Sequence, residues 1–171
     1  MDAVNLYDDD IYAWAEQQAA VLRRLAGLQG LPNELDLAHV VEEIADLGSS
    51  ELNGAKSCIR NILTHLILSA IDPDANAVRH WGSEVVTWQS DLRERRTPAM
   101  QRRIDLNVLW SNALRAAAAH LAAYYDNPAA EPIRHITPLR GTPCPFGLDD
   151  LTAADFDVLA GRDQIRARLA S

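Results

Sequence analysis

The sequence predicts an all-α fold, a compact bundle of about five to seven helices with a proline-rich extended segment near the C-terminus. Three observations lead there. Successive segments repeat apolar residues at intervals of three and four; cap and turn residues punctuate them at helix-sized distances; and no run alternates apolar and polar residues with the period of two that marks a half-buried strand. At 171 residues, 48% hydrophobic and 23% charged, the chain has the size and texture of one soluble domain. A single helical domain over 1–171 is the expectation.

Tyr7-Asp8-Asp9-Asp10 precedes the first helix, where an aspartate accepts from unpaired N–H groups and its charge suits the helix dipole. Ile11, Trp14, Ala15, Gln18, Leu22 and Leu25 form one stripe, and Gly30-Leu31-Pro32 ends it. Asp36 caps the second helix. There Leu37, Val40, Val41, Ile44 and Leu47 share one face, and His39, Glu42, Glu43 and Asp46 the other. Gly48 either breaks this helix or is carried inside it, since one glycine costs a helix only about 1 kcal/mol. From Glu51 onward Leu52, Ala55, Ile59, Ile62, Leu63, Leu66 and Ala70 make a continuous stripe, stopped at Asp72-Pro73 because proline disfavours the α conformation before it.

A fourth helix carries Val78, Trp81, Val85, Trp88 and Leu92, a coiled-coil-like seam. Thr97-Pro98 reads as a cap and first-turn proline of a long helix over 98–126. Ile104, Leu109, Trp110, Leu114, Leu121 and alanines 116–119 make that helix apolar over a wide arc, which places it at the bundle centre. Pro132, Pro138, Pro143 and Pro145 make Pro128–Gly147 an extended segment packed on the bundle. Thr152 with Asp155 starts a short helix that buries Phe156 and Leu159, and 158–171 is read as a fraying tail. Trp14, Trp81, Trp88 and Trp110 lie on or beside apolar stripes and are assigned to core packing.

Four blocks occur in a particular order: Tyr7-Asp8-Asp9-Asp10-Ile11-Tyr12-Ala13-Trp14; Leu35-Asp36-Leu37 leading to Val41-Glu42-Glu43-Ile44 and Leu47-Gly48; Leu63-Thr64-His65-Leu66-Ile67; and Cys144-Pro145-Phe146 before Asp149-Asp150-Leu151 and Asp155-Phe156. Over about residues 7 to 157 this order resembles the bacterial domain-of-unknown-function family number twenty-nine. The chain departs from the family's usual pattern at Ala45, where a glutamate is common, and at Leu68 and Ser69, where lysine and tryptophan are. The resemblance implies a small cytoplasmic helical protein with no established activity.

The net charge of −8 argues against broad adhesion to nucleic acid or anionic lipid. Residues 1–54 hold 11 acids against Arg23 and Arg24, whereas residues 55–127 hold nine bases and seven acids. Packing of the acidic part on the basic part is favoured over either face awaiting a partner. The apolar stretch Ile62–Ile71 is about half of the roughly 20 residues a membrane span needs. Met1 to Asn5 offer no basic n-region, so no signal peptide is expected. Cys58 and Cys144 make no disulfide framework, which points to a reducing cytoplasm.

Three functional readings stand in order. The first is a non-catalytic protein-interaction module whose partner is another protein or a second copy. Its surface would draw on Glu42, Asp46, Arg93, Arg95, Arg96, Arg102 and Arg103. The second is a metal-binding bundle with enzymatic activity. His39 and Glu43 are one turn apart, and His65 and His120 on two other helices would complete a site for a divalent transition metal. Its rival is a solvated acidic face with boundary histidines. The third is nucleic-acid contact through the arginines around Thr97-Pro98, although Asp91, Glu94 and Asp105 interleave them and no aromatics stand ready to stack on bases. Gly-x-Ser-x-Gly, HExxH and a phosphate-cradling glycine loop are all missing, so a non-enzyme is favoured and no small-molecule substrate is identifiable. No cofactor beyond that metal is expected.

Overall fold

The two segments on either side of Gly48 form one helix. Residues Leu37–Ile71 run for 35 residues without interruption, a length of about 52 Å at the usual rise per residue. Gly48 lies where this helix comes against the one before it: a Cβ there would sit 3.1 Å from the Ala15 Cβ and 3.7 Å from Tyr12 Cδ2. The glycine permits a close approach instead of stopping the chain.

The computed structural model describes residues 5–28, 30–72, 75–126 and 131–169, and among these there is no strand. The α-helices are α1 (Leu6–Asp9), α2 (Ile11–Leu25), α3 (Leu37–Ile71), α4 (Ala75–Arg95), α5 (Leu106–Tyr124), α6 (Glu131–Ile136), α7 (Leu148–Thr152) and α8 (Val158–Leu169), with 3-10 turns at Pro98–Arg103 and Thr137–Leu139. Three of them, α1, α6 and α7, have six residues or fewer, which takes the number past the five to seven that periodicity suggests. By its contacts the chain divides into two compact units: Met1–Ala55 with Arg95–Ile104, and Lys56–Glu94 with Asp105–Ser171.

The first unit is organised by Asp10. Of the three adjacent aspartates it alone is buried, at 8% exposure, and both carboxylate oxygens are used. Oδ1 accepts from the Ala13 N–H at 2.8 Å, capping α2, and Oδ2 accepts from the Ala99 N–H at 3.3 Å, in the first turn of Pro98–Arg103. One side chain thereby joins segments 89 residues apart. The buried face of α2 is Tyr12, Ala15 and Ala19. Trp14, Gln18, Leu22 and Leu25 on the expected stripe are only half-buried, because the small residues are the ones that allow the close approach of Gly48.

In the second unit the C-terminal half of α3 supplies the core. Ile59, Ile62, Leu63, Leu66 and Ile67 have no exposure, and Trp81, Val85, Leu92, Trp110, Ala113, Leu121, Ile136, Leu139 and Ile165 are buried with them. Burial of each such large side chain contributes about 1.5–3 kcal/mol. Hydrogen bonds fix the later elements. Buried Gln89 donates to the Leu151 carbonyl at 3.1 Å, Tyr125 Oη donates to Asp72 Oδ2 at 3.1 Å, and Arg166 Nε donates to the Ala70 carbonyl at 3.0 Å. The last of these places a cation on the orphan carbonyls at the end of α3, where the helix dipole favours it.

Four expectations change. Thr97-Pro98 begins a 3-10 turn, not a helix to residue 126; Asp105 then caps α5 by accepting from the N–H groups of Asn107 and Val108 at 2.9 and 3.2 Å. Helix α5 is buried along Leu109, Trp110, Ala113, Leu114, Ala117 and Leu121, yet Val108, Arg115, Ala116, Ala119 and His120 are exposed, so it is not apolar all round in its surroundings. The Pro128–Gly147 segment is helical over Glu131–Ile136 and Thr137–Leu139, because prolines in first turns forgo no hydrogen bond. Pro128 lies outside the described residues. Among the described residues of that segment only 140–147 is irregular, and α8 holds it: Arg168 donates to the Pro143 carbonyl at 2.8 Å and Gln164 to that of Pro145 at 2.9 Å.

The fourth concerns the last residues. Thr152 ends α7 instead of starting a helix, Asp157 caps α8 through the Leu159 N–H at 2.8 Å, and Leu159 is 57% exposed. Residues 158–169 are an ordered helix with Gly161 and Ile165 buried.

Gly48→Val tests the crossing of α2 and α3. The Ala15 methyl is fixed to a helix backbone and has no rotamer to escape into, so the substitution is expected to cost about 1–3 kcal/mol as overpacking does, seen as a lower urea midpoint. An unchanged midpoint would show that the helices do not meet at Gly48.

Candidate functional site

Two stretches of one helix differ in surroundings. Beyond Ala55, α3 is core; before it, only Leu37 and Gly48 are buried. Val40 is 38% and Leu47 36% exposed, and the connection before α3 adds Leu28, Leu31 and Leu35 at 61%, 36% and 44%. These five apolar side chains belong to a single compact unit. The same unit holds a groove of about 530 Å³ lined by Arg23 of α2, by Ala26 just after it, and by Leu37, Val41, Glu42 and Asp46 of α3, positions that turn away from Val40 and Leu47 around the helix. The acidic residues predicted for an interaction surface, Glu42 and Asp46, thus meet at this groove.

His39 points to a different role from the one its spacing suggests. Its Nδ1 is paired with Asp36 Oδ2 at 2.5 Å, while Asp36 Oδ1 accepts the His39 N–H at 3.3 Å. The hydrogen bond to Asp36 raises the imidazole pKa above its usual value, with Glu42 and Glu43 adding to the pull, and the same bond lowers that of Asp36. Through Oδ1 the same Asp36 carboxylate caps the start of α3. Glu43 is exposed in the same unit, whereas His65 and His120 belong to the other.

His65 is half-buried, and burial pushes its imidazole down against the opposing attraction of Glu84, with His80 and His120 pushing the same way as burial. His120 is exposed, its ring edge-on to Trp81 at 5.9 Å. Among the described residues no group of three or more His, Cys, Asp or Glu stands together in a way that could hold a metal ion.

The arginines are largely occupied. Arg95 pairs with Glu51 at 3.3 Å and Arg103 with Glu16 at 3.4 Å, both bases meeting acids of the N-terminal third. The Arg95 guanidinium also lies over Gly54, whose Cβ would come 3.2 Å from Nη1. Arg93 donates to the Ala153 carbonyl at 3.3 Å. Arg102 is exposed and Arg96 half-buried. Exposed pairs of this kind contribute about 0–1 kcal/mol each, enough to orient the side chains.

Sequence reasoning missed a second groove, of about 720 Å³, which is lined by Asn107, Ser111 and Arg115 of α5 and by Arg140-Gly141. A signal for it existed. Asn107, Ser111 and Arg115 recur every four residues, a polar row on a helix otherwise read as apolar.

A profile of the family described as Domain of unknown function DUF29 matches residues 6–156. The chain is similar to a solved alpha-helical protein of unknown function from Rhodospirillum rubrum: they are 36% identical, the match covers 92% of this chain and 96% of that one, and the TM-score is 0.76. No curated protein matches. Among the described residues no helix is long and apolar enough to cross a membrane.

The two perturbed histidines should separate in a proton NMR titration, His39 above the ordinary histidine value of 6.5 and His65 below it. Linkage gives them opposite signs. The His39 contribution to stability is present below 6.5 and fades as pH rises through its folded-state pKa, whereas folding opposes protonation of His65 and loses stability as pH falls below 6.5. Asp36→Asn should bring His39 down and leave His65 where it was; an unmoved His39 would remove the pairing.

Proposed function

The chain belongs to the family described as Domain of unknown function DUF29, and we propose that it works without catalysis, holding a basic amphipathic helix of a partner protein against the exposed first half of α3. The observation that carries this reading is the unburied apolar stripe. Leu35, Val40 and Leu47 are large apolar side chains at least 36% exposed, and exposed Glu43 stands one helical turn from both Val40 and Leu47. Covering each fully would contribute about 1.5–3 kcal/mol, and several are needed because association costs about 4–15 kcal/mol in lost freedom.

Charge selects the occupant. With 11 acids against two bases in residues 1–54, a second copy docked through the same face would set like charges opposite one another, whereas a lysine- or arginine-rich segment is attracted. An amphipathic helix fits such a surface, its apolar residues meeting Val40 and Leu47 and its cations meeting Glu43 between them. We place the protein in the cytoplasm, where Cys58 and Cys144, which form no disulfide among the described residues, stay reduced.

An amphipathic lysine–leucine peptide and a scrambled peptide of the same composition, each titrated into the full chain near physiological salt, test the proposal. The amphipathic peptide should bind roughly tenfold or more tightly than the scrambled one, a difference of about 1.4 kcal/mol. Val40→Glu with Leu47→Glu should erase that preference while circular dichroism stays unchanged, both side chains being exposed. Equal binding of the two peptides, or a dimer of the free protein that the double variant dissolves, would overturn it.

A further inference from the structure

The second groove is lined by residues that fit a different kind of ligand. Arg115 and Arg140 both face it, and no carboxylate residue lines it. Neither arginine makes an ion pair among the described residues. The nearest acid in sequence, Asp105, is engaged in capping the N–H groups of Asn107 and Val108. Two guanidiniums thus share one concave surface with no counter-charge supplied by its lining.

The other polar groups there are oriented as donors. Arg115 Nη2 donates to Asn112 Oδ1 one turn back, which steadies the guanidinium and leaves its remaining N–H groups unused by that bond. Asn107 Oδ1 accepts the Cys144 N–H at 2.9 Å, and this fixes the amide so that its NH₂ is the group left over. Ser111 is exposed between them on the same helix row. Gly141 takes φ +80°, and an added Cβ would meet nothing within 4 Å, so the backbone lies open at the turn. The turn itself uses the Arg140 and Thr142 N–H groups, bonded to Thr137 and Leu139 carbonyls at 3.1 and 3.2 Å.

The lining is not wholly polar. Val108, 54% exposed, and Leu114 contribute apolar surface, and about 720 Å³ is far more than a bare oxyanion needs and within the usual range of small-molecule sites. Two permanent positive charges match a dianion better than a carboxylate's single charge. Two further donors, the Asn107 NH₂ and the Ser111 hydroxyl, serve the remaining phosphoryl oxygens. We infer that the groove formed by Asn107, Ser111, Arg115 and Arg140-Gly141 binds a phosphate monoester, its phosphoryl group held between Arg115 and Arg140 and its organic body against Val108 and Leu114. The site lies in the second unit and is independent of the α3 surface.

Phenyl phosphate is the probe, titrated into the full chain by calorimetry with inorganic phosphate, benzoate and phenol in parallel. Phenyl phosphate should bind more tightly than the other three, and Arg115→Gln and Arg140→Gln should each weaken it roughly tenfold or more. Val108→Asn should remove its advantage over inorganic phosphate. Binding should also weaken as pH falls below about 6, where the monoester loses its second charge. Val40→Glu with Leu47→Glu should leave all of this unchanged. No binding of phenyl phosphate, benzoate binding as tightly as phenyl phosphate, or binding indifferent to both arginine substitutions would overturn the assignment.

Discussion

The continuity of α3 is the constraint from which the other features follow. A helix of 35 residues is held by packing of part of its surface, since propensity alone gives isolated helices marginal stability. Beyond Ala55 the packing is dense, with Ile59, Ile62, Leu63, Leu66 and Ile67 fully buried. Before it the contacts are few and made by small residues: Gly48 against Ala15 and Tyr12. The same helix therefore serves as core in one compact unit and as a largely solvated surface in the other. Asp10, with one carboxylate capping α2 and receiving the Ala99 N–H, completes the second case by joining two segments 89 residues apart with hydrogen bonds.

Much of this was legible in the residues. The stripes in the second half of α3 and in α4 follow from spacing alone, and Trp81, Val85 and Leu92 are buried as their seam requires. Family membership was legible from four short blocks. What was not legible depends on competition between distant groups. Thr97-Pro98 is a sound helix start, but Asp105 offers a better cap eight residues later and takes two N–H groups. Leu159 has helical spacing from Phe156, yet it is 57% exposed while Gly161 meets the Phe156 ring, an approach no periodicity encodes. The number of prolines before Leu139 suggests an extended segment, but Pro132 and Pro138 stand in first turns, where proline fits a helix.

For function, spacing along the first half of α3 is compatible with more than one role. His39 and Glu43 have the separation of metal ligands, and the His39 ring nitrogen is hydrogen-bonded to Asp36 Oδ2 at 2.5 Å. Glu43 also stands one turn from both Val40 and Leu47, an acidic neighbour of exposed apolar side chains. The Asn107, Ser111 and Arg115 row carries the converse lesson. Each residue alone is an unremarkable surface side chain, and only the approach of Arg140 from another part of the chain makes the row concave.

Hydrogen–deuterium exchange of the full chain, resolved along α3 with and without the amphipathic lysine–leucine peptide, tests the division of that helix most directly. The burial pattern predicts slow exchange over residues 56–71 in both states, and faster exchange over 37–54 that slows when the peptide is bound. Uniform protection from Leu37 to Ile71, or exchange over 37–54 that the peptide leaves unchanged, would contradict the account of one helix with an anchored half and a docking half.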